Sequence, residues 1–503
     1  MTSSRWILAA AAAATPLVFA LAPSAAAQQP LTLHQAIELA QRQSYQARSA
    51  QSTLEGARDR DHLFNTTYLP SLTLGGTTPR YTRQITPVIQ PDGTTQYLPL
   101  QETDADLSAT IVQRVPWTNT TLTFSSGISQ VKVSGVGGFQ SWSSTPFSVG
   151  ISQPILHSNS FKWDIRQQDL RMESSERQYL EAREDVAITT TNAFFDLYAA
   201  EANLKNAKGN AAVNDTLYTL NKGRLTIGKI GENDLLQSEL ALLRARQSAE
   251  DAQLAYDRTL AQFRLTINVP QGTPLEIAVT ADVPTIEPDT AEAVKWARAN
   301  SSTIENVVAS EVAADREVSE AKWNSGAGGT VNASYGYNGT ATSTVASDAY
   351  KNLLNAQQLS LSVQLPLWQW GAHAATVDAA KADRDAARSN AAVTRAQVDQ
   401  NAHFDALQVT EARRSLVIAA KADTVATNRF DVAYNRYVIG RITIDNLYIA
   451  QSEKDQALVA FAQALRGYWT AYYQLRRDTL YDFDAGRQIR EFTGVAPDQS
   501  GTH

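Results

Sequence analysis

The sequence predicts a mixed α and β fold, with duplicated long α-helical hairpins and strands that contribute to an oligomeric transmembrane β-barrel. Three observations support this prediction. The helical region occurs twice, 212 residues apart, so that Pro154 matches Pro366 and Leu204 matches Leu416. Segments of alternating polarity precede both long helical runs, and an export signal opens the chain. A constant offset that needs no gaps indicates a duplicated structural unit.

Residues 1–27 are predicted to be a secretory signal peptide. Arg5 supplies the positive charge, residues 7–21 form an apolar core, and small residues precede the expected cleavage after Ala27. A retained membrane anchor is the alternative, and two prolines in an already short apolar run argue against it. No later stretch approaches the ~20 apolar residues of a membrane helix, so further membrane contact requires a barrel or surface association.

The composition excludes several classes of function. The chain has no cysteine, which excludes disulfides, thiolate catalysis, thiolate zinc sites and lipid attachment at a cysteine. Its formal net charge is −7 and basic clusters are missing, so nucleic-acid binding has no support. The six histidines are scattered, and no nucleophile–base pair or phosphate loop is found. We therefore expect no enzyme activity, catalytic residue, cofactor or metal site.

Two runs almost free of helix breakers predict very long helices, over residues 161–227 and 372–439. Alanine, glutamate, glutamine, leucine and arginine dominate both runs, and all favour helix. At ~1.5 Å per residue, about 65 residues extend over ~100 Å. Glycine follows each run at Gly228 and Gly440, as it does after helix C-termini.

The end of each long run carries an a/d-type seam of apolar residues, the spacing that winds neighbouring helices around each other. Its positions are Val213, Leu217, Leu220, Arg224 and Ile227 in the first copy, and Val425, Arg429, Val432, Arg436 and Ile439 in the second. The seam is thin, because small and polar residues occupy many intervening positions. We therefore expect a bundle that is closed by oligomerisation.

The remaining boundaries follow from caps and breakers. Return helices are predicted at 232–267 and 443–483, and a shorter helix at 289–323. Thr32 and Asp289 stand where the N-caps of two shorter helices belong. The first repeat then covers 28–285 and the second 286–486, each with a short helix, strands, a long helix and a return helix. The polar tail, 487–503, is expected to be disordered.

Alternating polarity predicts six strands, four in the first half and two in the second. They are Ser71–Tyr81, Asp106–Val115, Thr120–Val133, Pro146–Gln153, Gly329–Asn338 and Gln358–Leu365, within the wider ranges 69–153 and 329–365. Several aromatic residues stand where membrane-interface aromatics would: Trp117, Trp142, Trp368, Trp370, Tyr68, Tyr81 and Tyr335. So few strands cannot close a membrane barrel alone, so several chains would share one. A soluble sandwich with tryptophans in its core is the alternative.

With these elements in order, the chain resembles the TolC-like outer membrane efflux protein family, also called outer membrane factors. The resemblance covers Leu31 to about Phe483 and rests on the duplicated order of elements. The tip sequences at 228–236 and 437–447 and the strand end at 152–156 are similar to those of the family.

The resemblance implies a homotrimer with a shared barrel in the outer membrane of a Gram-negative bacterium and a coiled-coil tunnel through the periplasm. It implies a passive exit duct of a tripartite efflux or type I secretion system. An inner-membrane pump would deliver the cargo through a periplasmic adaptor protein. A structural coiled-coil surface protein without a conduit is the alternative. An apolar outward face on the strands would distinguish the channel.

The resemblance also implies a periplasmic gate at the helical tips. Tyr437 and Asp234 match a tyrosine–aspartate pair that holds such an entrance shut. Arg441, or Ile442 in another alignment of the loop, falls at the gate arginine. Asn446 stands where the family often has a pore-facing acid, so an acidic ring would depend on Asp445 beside it. Asp234 and Asn446 also fit the plainer role of helix N-caps.

The resemblance assigns adaptor docking to the tip residues Arg224, Gly228, Arg436 and Gly440, although the two arginines could simply solvate the seam. One departure from the family concerns the strands. A hairpin at 106–133 occurs in the first half only. Six strands per chain would close eighteen in a trimer rather than the family's usual twelve, unless this hairpin projects beyond the barrel.

Overall fold

The computed structural model describes residues 30–89, 91–134, 138–280 and 283–489. The predicted signal peptide and nearly all of the predicted disordered tail lie outside the described residues. Two long helical hairpins and one large antiparallel sheet make up most of the described structure.

Eight α-helices lie in the described part of the chain. They are α1 (Leu33–Gln43), α2 (Tyr45–Thr66), α3 (Ser160–Thr226), α4 (Glu232–Thr266), α5 (Thr290–Asn300), α6 (Ser302–Asn324), α7 (Ala372–Val438) and α8 (Ile444–Thr479). The two long helices, α3 and α7, have 67 residues each, within one residue of the predicted bounds. Within the described residues, no helix combines the length and the apolar character that crossing a bilayer would require.

The predicted single helix at 289–323 is wrong, because Ser301 divides it. Ser301 has extended backbone (φ −64°, ψ 134°), and its side chain accepts a hydrogen bond from the Thr303 amide. Ser44 separates α1 from α2 in the same way. A serine hydroxyl offers the backbone a local partner that competes with continued helix. The predicted caps Thr32 and Asp289 are confirmed.

The return helix predicted to reach residue 483 ends earlier, at Thr479. Leu480 adopts left-handed backbone (φ 47°), which ends the helix. Two short strands follow, Tyr481–Asp482 and Arg487–Gln488, and they pair with each other. The predicted disordered tail is therefore ordered at its first residues.

The strands, in chain order, are β1 (Leu31–Thr32), β2 (Ser71–Ile89), β3 (Thr95–Val115), β4 (Thr120–Ser134), β5 (Phe139–Ile155), β6 (Ile277–Ala278), β7 (Gly328–Ala341), β8 (Leu354–Gln364), β9 (Tyr481–Asp482) and β10 (Arg487–Gln488). A short 3-10 helix lies at Ala346–Tyr350. Six strands form one antiparallel sheet in the order β2-β3-β4-β5-β7-β8. All six predicted strands are confirmed, and each is longer than predicted.

The hairpin predicted as an insertion belongs to this sheet. β3 pairs with β4 from Val115↔Thr120 to Gln101↔Ser134, while β2 and β5 pair with their outer sides. The hairpin therefore does not project away from the other strands.

The main apolar core lies where the short helices meet the two hairpins. Phe194 and Leu197 of α3 pack with Phe263 of α4 and with Leu465 and Tyr468 of α8, and all five are almost fully buried. Burial of each such side chain contributes about 1.5–3 kcal/mol. This core fixes the hairpins to each other some distance from their tips.

Candidate functional site: the helical tips and the apolar sheet face

Both long helices end at a glycine with left-handed backbone, with φ +70° at Gly228 and +75° at Gly440. The Lys229 amide donates to the Arg224 carbonyl at 2.9 Å, and the Arg441 amide donates to the Arg436 carbonyl at 2.8 Å. These bonds satisfy carbonyls that a helix end leaves free, in a conformation that glycine adopts without strain. The predicted helix stops are confirmed.

Asp234 and Asn446 occupy equivalent places three residues after the N-caps of the return helices. The N-caps are Gly231 and Thr443. The Gly231 amide donates to Asp234 Oδ2 at 3.4 Å, and Asn446 Nδ2 donates to Thr443 Oγ1 at 3.1 Å. The prediction that they are N-caps is therefore wrong, because each reaches back to the N-cap residue from the first turn.

The hydroxyl of Tyr437 is bound to a residue that the sequence reasoning missed. It donates to Asn221 Oδ1 at 2.9 Å, and the two residues are only 5% and 1% exposed. Tyr437 lies on α7 and Asn221 on α3, so this bond joins the two hairpins just before their tips. Tyr437 and Asp234 are not bonded to each other in the single chain, although both line the same cavity of about 730 Å³, and their pairing stays a prediction.

Arg224 makes a second link between the hairpins. Its Nη2 donates to the carbonyls of Tyr437 at 3.2 Å and Val438 at 3.0 Å, and its guanidinium lies 5.1 Å from the centre of the Tyr437 ring. These carbonyls are at the C-terminal end of α7, where the helix dipole is negative and stabilises a cation such as Arg224. Its repeat counterpart, Arg436, is exposed. The two arginines occupy equivalent positions of the repeat, but only Arg224 is bonded to the other hairpin.

The second half of the predicted gate is exposed. Asp445 Oδ1 accepts a hydrogen bond from Gln237 Nε2 at 2.8 Å, which links α8 to α4. Arg441 is exposed in the tip turn, and Asn446 is exposed beside Asp445. Ile442, the alternative for the gate arginine, lines the cavity, as do Asp445 and Gly440.

An apolar cluster lies next to these polar links. Leu217 of α3 packs into a group formed by Phe430, Ala433 and Tyr437 of α7 and Leu447 of α8. The first seam is thus confirmed at its centre. The apolar residues of the seam predicted for the second copy are exposed in the single chain: Val425 and Val432 are each 53% exposed and Ile439 is 64% exposed. Two faces of α7 carry three- and four-residue apolar spacing, and near the tips the other face packs against α8 and the end of α3.

Asn221 and Gln237 were missed because neither is charged or part of a motif. Asn221 nevertheless continues the register of Leu217 and precedes Arg224 by three residues. A polar residue at a seam position is known to fix the pairing of helices at some cost in stability. The position of Asn221 in this register was the sequence feature that could have identified it.

Neighbouring Tyr448 has its pKa raised to about 12, mainly by burial and also by the nearby Tyr437 and Asp445. It is therefore neutral near pH 7.

A second titratable cluster lies far from the tips, where Asp405 of α7 faces Asp478 and Arg477 of α8. Burial, followed by the hydrogen bond and the negative charge of Asp478, raises the pKa of Asp405 to about 8.

One face of the six-stranded sheet is apolar and exposed. Residues directly opposite each other form a row across five strands: Leu72, Ile111, Phe124, Val149 and Tyr335. A neighbouring row on the same face contains Leu122, Ile151, Ala333 and Leu359. The next row on the opposite face is Thr73, Thr110, Ser125, Ser148 and Gly336. The sheet thus has the two-faced character of a membrane strand set.

Three exposed tryptophans lie at the end of the sheet that adjoins the helices. Trp117 is in the turn between β3 and β4, and Trp368 and Trp370 lie between β8 and α7. They are 81%, 73% and 89% exposed, respectively. Their level agrees with the predicted position of an aromatic belt at a membrane interface.

Comparison with known proteins shows what this architecture is similar to. The model of the outer membrane efflux protein family matches residues 98–269. No curated protein matches the chain. Three solved structures cover nearly all of it. The CmeC outer membrane channel of Campylobacter jejuni matches with a TM-score of 0.64 and 16% identity, over 91% of this chain and 86% of that one.

The outer membrane protein VceC of Vibrio cholerae matches with a TM-score of 0.63 and 14% identity, over 89% of this chain and 95% of that one. The open state of the MtrE outer membrane channel of Neisseria gonorrhoeae matches with a TM-score of 0.60 and 14% identity, over 89% and 88%. The chain has the fold of the outer membrane efflux channels.

The predicted resemblance and the predicted fold class are therefore confirmed. The family match also agrees with the predicted efflux role and outer-membrane location. The sheet lies at one end of the two helical hairpins and the tips lie at the other.

Proposed function

We propose that three copies of this chain form a passive exit duct across the outer membrane and the periplasm. The sheet of each copy contributes to a shared barrel, and the two hairpins of each copy contribute to a helical tunnel. No catalytic step is involved. An inner-membrane pump supplies the cargo, and a periplasmic adaptor protein joins the pump to the tips.

The observation that carries this proposal is the apolar face of the sheet. Its rows of exposed leucine, isoleucine, valine and aromatic side chains run from β2 to β8, opposite a face of threonine, serine and glutamine. Lipid is the environment that suits such a face, and water suits the other. A structural stalk without a conduit would not need this separation.

The hairpins support the tunnel. Each long helix of 67 residues extends over ~100 Å. The seam residues Val425, Val432 and Ile439 of α7 are exposed in the single chain. A neighbouring copy would bury them, in agreement with a bundle that closes only on oligomerisation.

The tips supply the gate. Asn221 and Arg224 of α3 hold Tyr437 at the end of α7, while Gln237 of α4 holds Asp445 at the start of α8. Opening requires these links between the hairpins to break. The exposed Arg436, together with Gly228 and Gly440 at the turns, forms the surface offered to the adaptor. Arg224 supports this surface from within.

Two adjacent residues of β5 test the proposal. Val149 lies on the apolar face and Ser148 on the polar face. An arginine on the lipid face costs about 2–4 kcal/mol at the bilayer centre, whereas a lumen position tolerates it. We expect Val149→Arg to reduce assembly of heat-resistant trimers in liposomes, and Ser148→Arg to assemble normally but lower cation conductance in planar bilayers. Equal assembly of both variants, or a wild-type protein that is monomeric and gives no conductance, would refute the duct.

A further inference from the structure

The number of strands that each chain gives to the shared barrel follows from the edges of its sheet. Among the described residues, β2 and β8 are the two edges. β2 starts at Ser71, shortly after α2, and runs away from the helices, whereas β8 runs back and ends at Gln364, shortly before α7. The two edges are antiparallel, so β8 of one copy can pair with β2 of the next without breaking the antiparallel order.

The strand ends at the helical side of the sheet are staggered in one direction, by unequal steps. Ser71, the first residue of β2, lies opposite Val112, three residues before the end of β3. The same row of partners reaches Gln358, six residues before Gln364 at the end of β8. This is a stagger of about one residue per strand, which corresponds to a tilt of about 35°. Closed barrels have tilts of this size.

The inserted strands β3 and β4 share the apolar face and the aromatic turn of the others. Ile111 and Phe124 belong to the same apolar row as Val149. Trp117, in the turn that joins β3 to β4, lies at the helical end of the sheet, as do Trp368 and Trp370. In a membrane, β3 and β4 would therefore lie at the same depth as the neighbouring strands.

We propose that three chains, joined β8 to β2, close one barrel of eighteen strands. This inference rests on the proposed function, since it takes the trimer and the membrane location from it. A barrel's diameter grows roughly linearly with strand number, so the backbone diameter is about 34 Å rather than the ~23 Å of twelve strands with the same tilt. The backbone of the barrel is therefore half again as wide as that of twelve strands.

Single cysteines test this arrangement on the full chain, which has no cysteine of its own. Ile111→Cys and Phe124→Cys are labelled with a fluorophore and reconstituted in liposomes, beside Thr110→Cys and Ser125→Cys on the opposite face. We expect brominated lipids to quench the first two and aqueous iodide to quench the last two. Iodide quenching of all four would overturn the eighteen-stranded barrel.

Val149→Cys and Ser148→Cys on β5 serve as the reference. If they alternate between lipid and water while the β3 and β4 sites do not, the duct stands and only the strand number is wrong. If the reference pair fails to alternate, the proposed function fails with it. Electron-microscopic projections of the protein in nanodiscs give a second measurement. A barrel about 1.5-fold wider than a twelve-stranded one is expected, and a width equal to that of twelve strands contradicts the inference.

Discussion

Removing the hydroxyl of Tyr437 isolates the link that closes the tips. Tyr437→Phe deletes the hydrogen bond to Asn221 but keeps the ring that packs in the apolar cluster and lies under the Arg224 guanidinium. The loss of a hydrogen bond costs about 1 kcal/mol, and a buried acceptor left without its donor raises this to about 1–3 kcal/mol. We therefore expect the opening equilibrium to shift by roughly 5- to 150-fold for each chain whose link is broken.

The assay is the open probability of single channels in planar bilayers, measured on the purified full-length protein. Tyr434→Phe is the matched control, since Tyr434 lies on the same helix and packs against the same cluster. It should leave the open probability unchanged. Equal open probabilities for wild type, Tyr437→Phe and Tyr434→Phe would refute the assignment of the gate.

A double-mutant cycle separates this link from a general loosening of the tip. Asn221→Val and Tyr437→Phe remove the two ends of one bond, so their effects on the opening free energy should not add. Additive effects would mean that the two residues act independently, and the hydrogen bond would then have no part in closure.

The remaining predictions concern stability, pH and selectivity. Gly440→Ala should destabilise the fold by about 1–2 kcal/mol in urea titrations, because alanine is strained at φ +75°. Gly223→Ala should stabilise the fold by up to about 1 kcal/mol, because Gly223 lies within α3 and alanine favours helix. A change of the same sign for both variants would contradict the reasoning. Because the pKa of Asp405 is raised to about 8, the folded state holds a proton that the unfolded chain loses near pH 4. This contribution to stability falls as the pH rises from about 4 to about 8, and Asp405→Asn should remove that part of the decline in Tm; an unchanged slope would exclude it. Asp445→Asn should lower the cation-to-anion permeability ratio and Asn446→Asp should raise it, and reversal potentials that do not move would remove both from the pore.

The elements with strong local signals were predictable. Gly228 and Gly440 end the long helices because glycine accepts left-handed backbone, and breaker-free runs gave α3 and α7 within a residue. Strand positions followed from alternating polarity. The division of a helix at Ser301 was not predicted, because serine is compatible with both a helix interior and a cap until its neighbours decide.

The partners of the tip residues could not be derived in the same way. The 212-residue repeat suggested that Arg224 and Arg436 have equal roles and that the two seams are equivalent. In the folded chain only one face of α7 packs against α8 and, near the tips, against α3, so Arg224 is engaged, Arg436 is exposed, and Phe430 is buried in place of Val432. Contacts between residues more than two hundred positions apart depend on how the hairpins pack, and a periodic sequence permits more than one packing.

The sequence alone determined that this chain has two long helical hairpins, stops at two glycines and strands with one apolar face, since each of these is a local property of residue type and period. Tertiary structure decided that Tyr437 binds Asn221 within the chain, and that the strands of the inserted hairpin continue the sheet. The reason is physical. A hydrogen bond between distant residues and the order of strands in a sheet are set by the free energy of the whole packing, to which each local pattern contributes only a part.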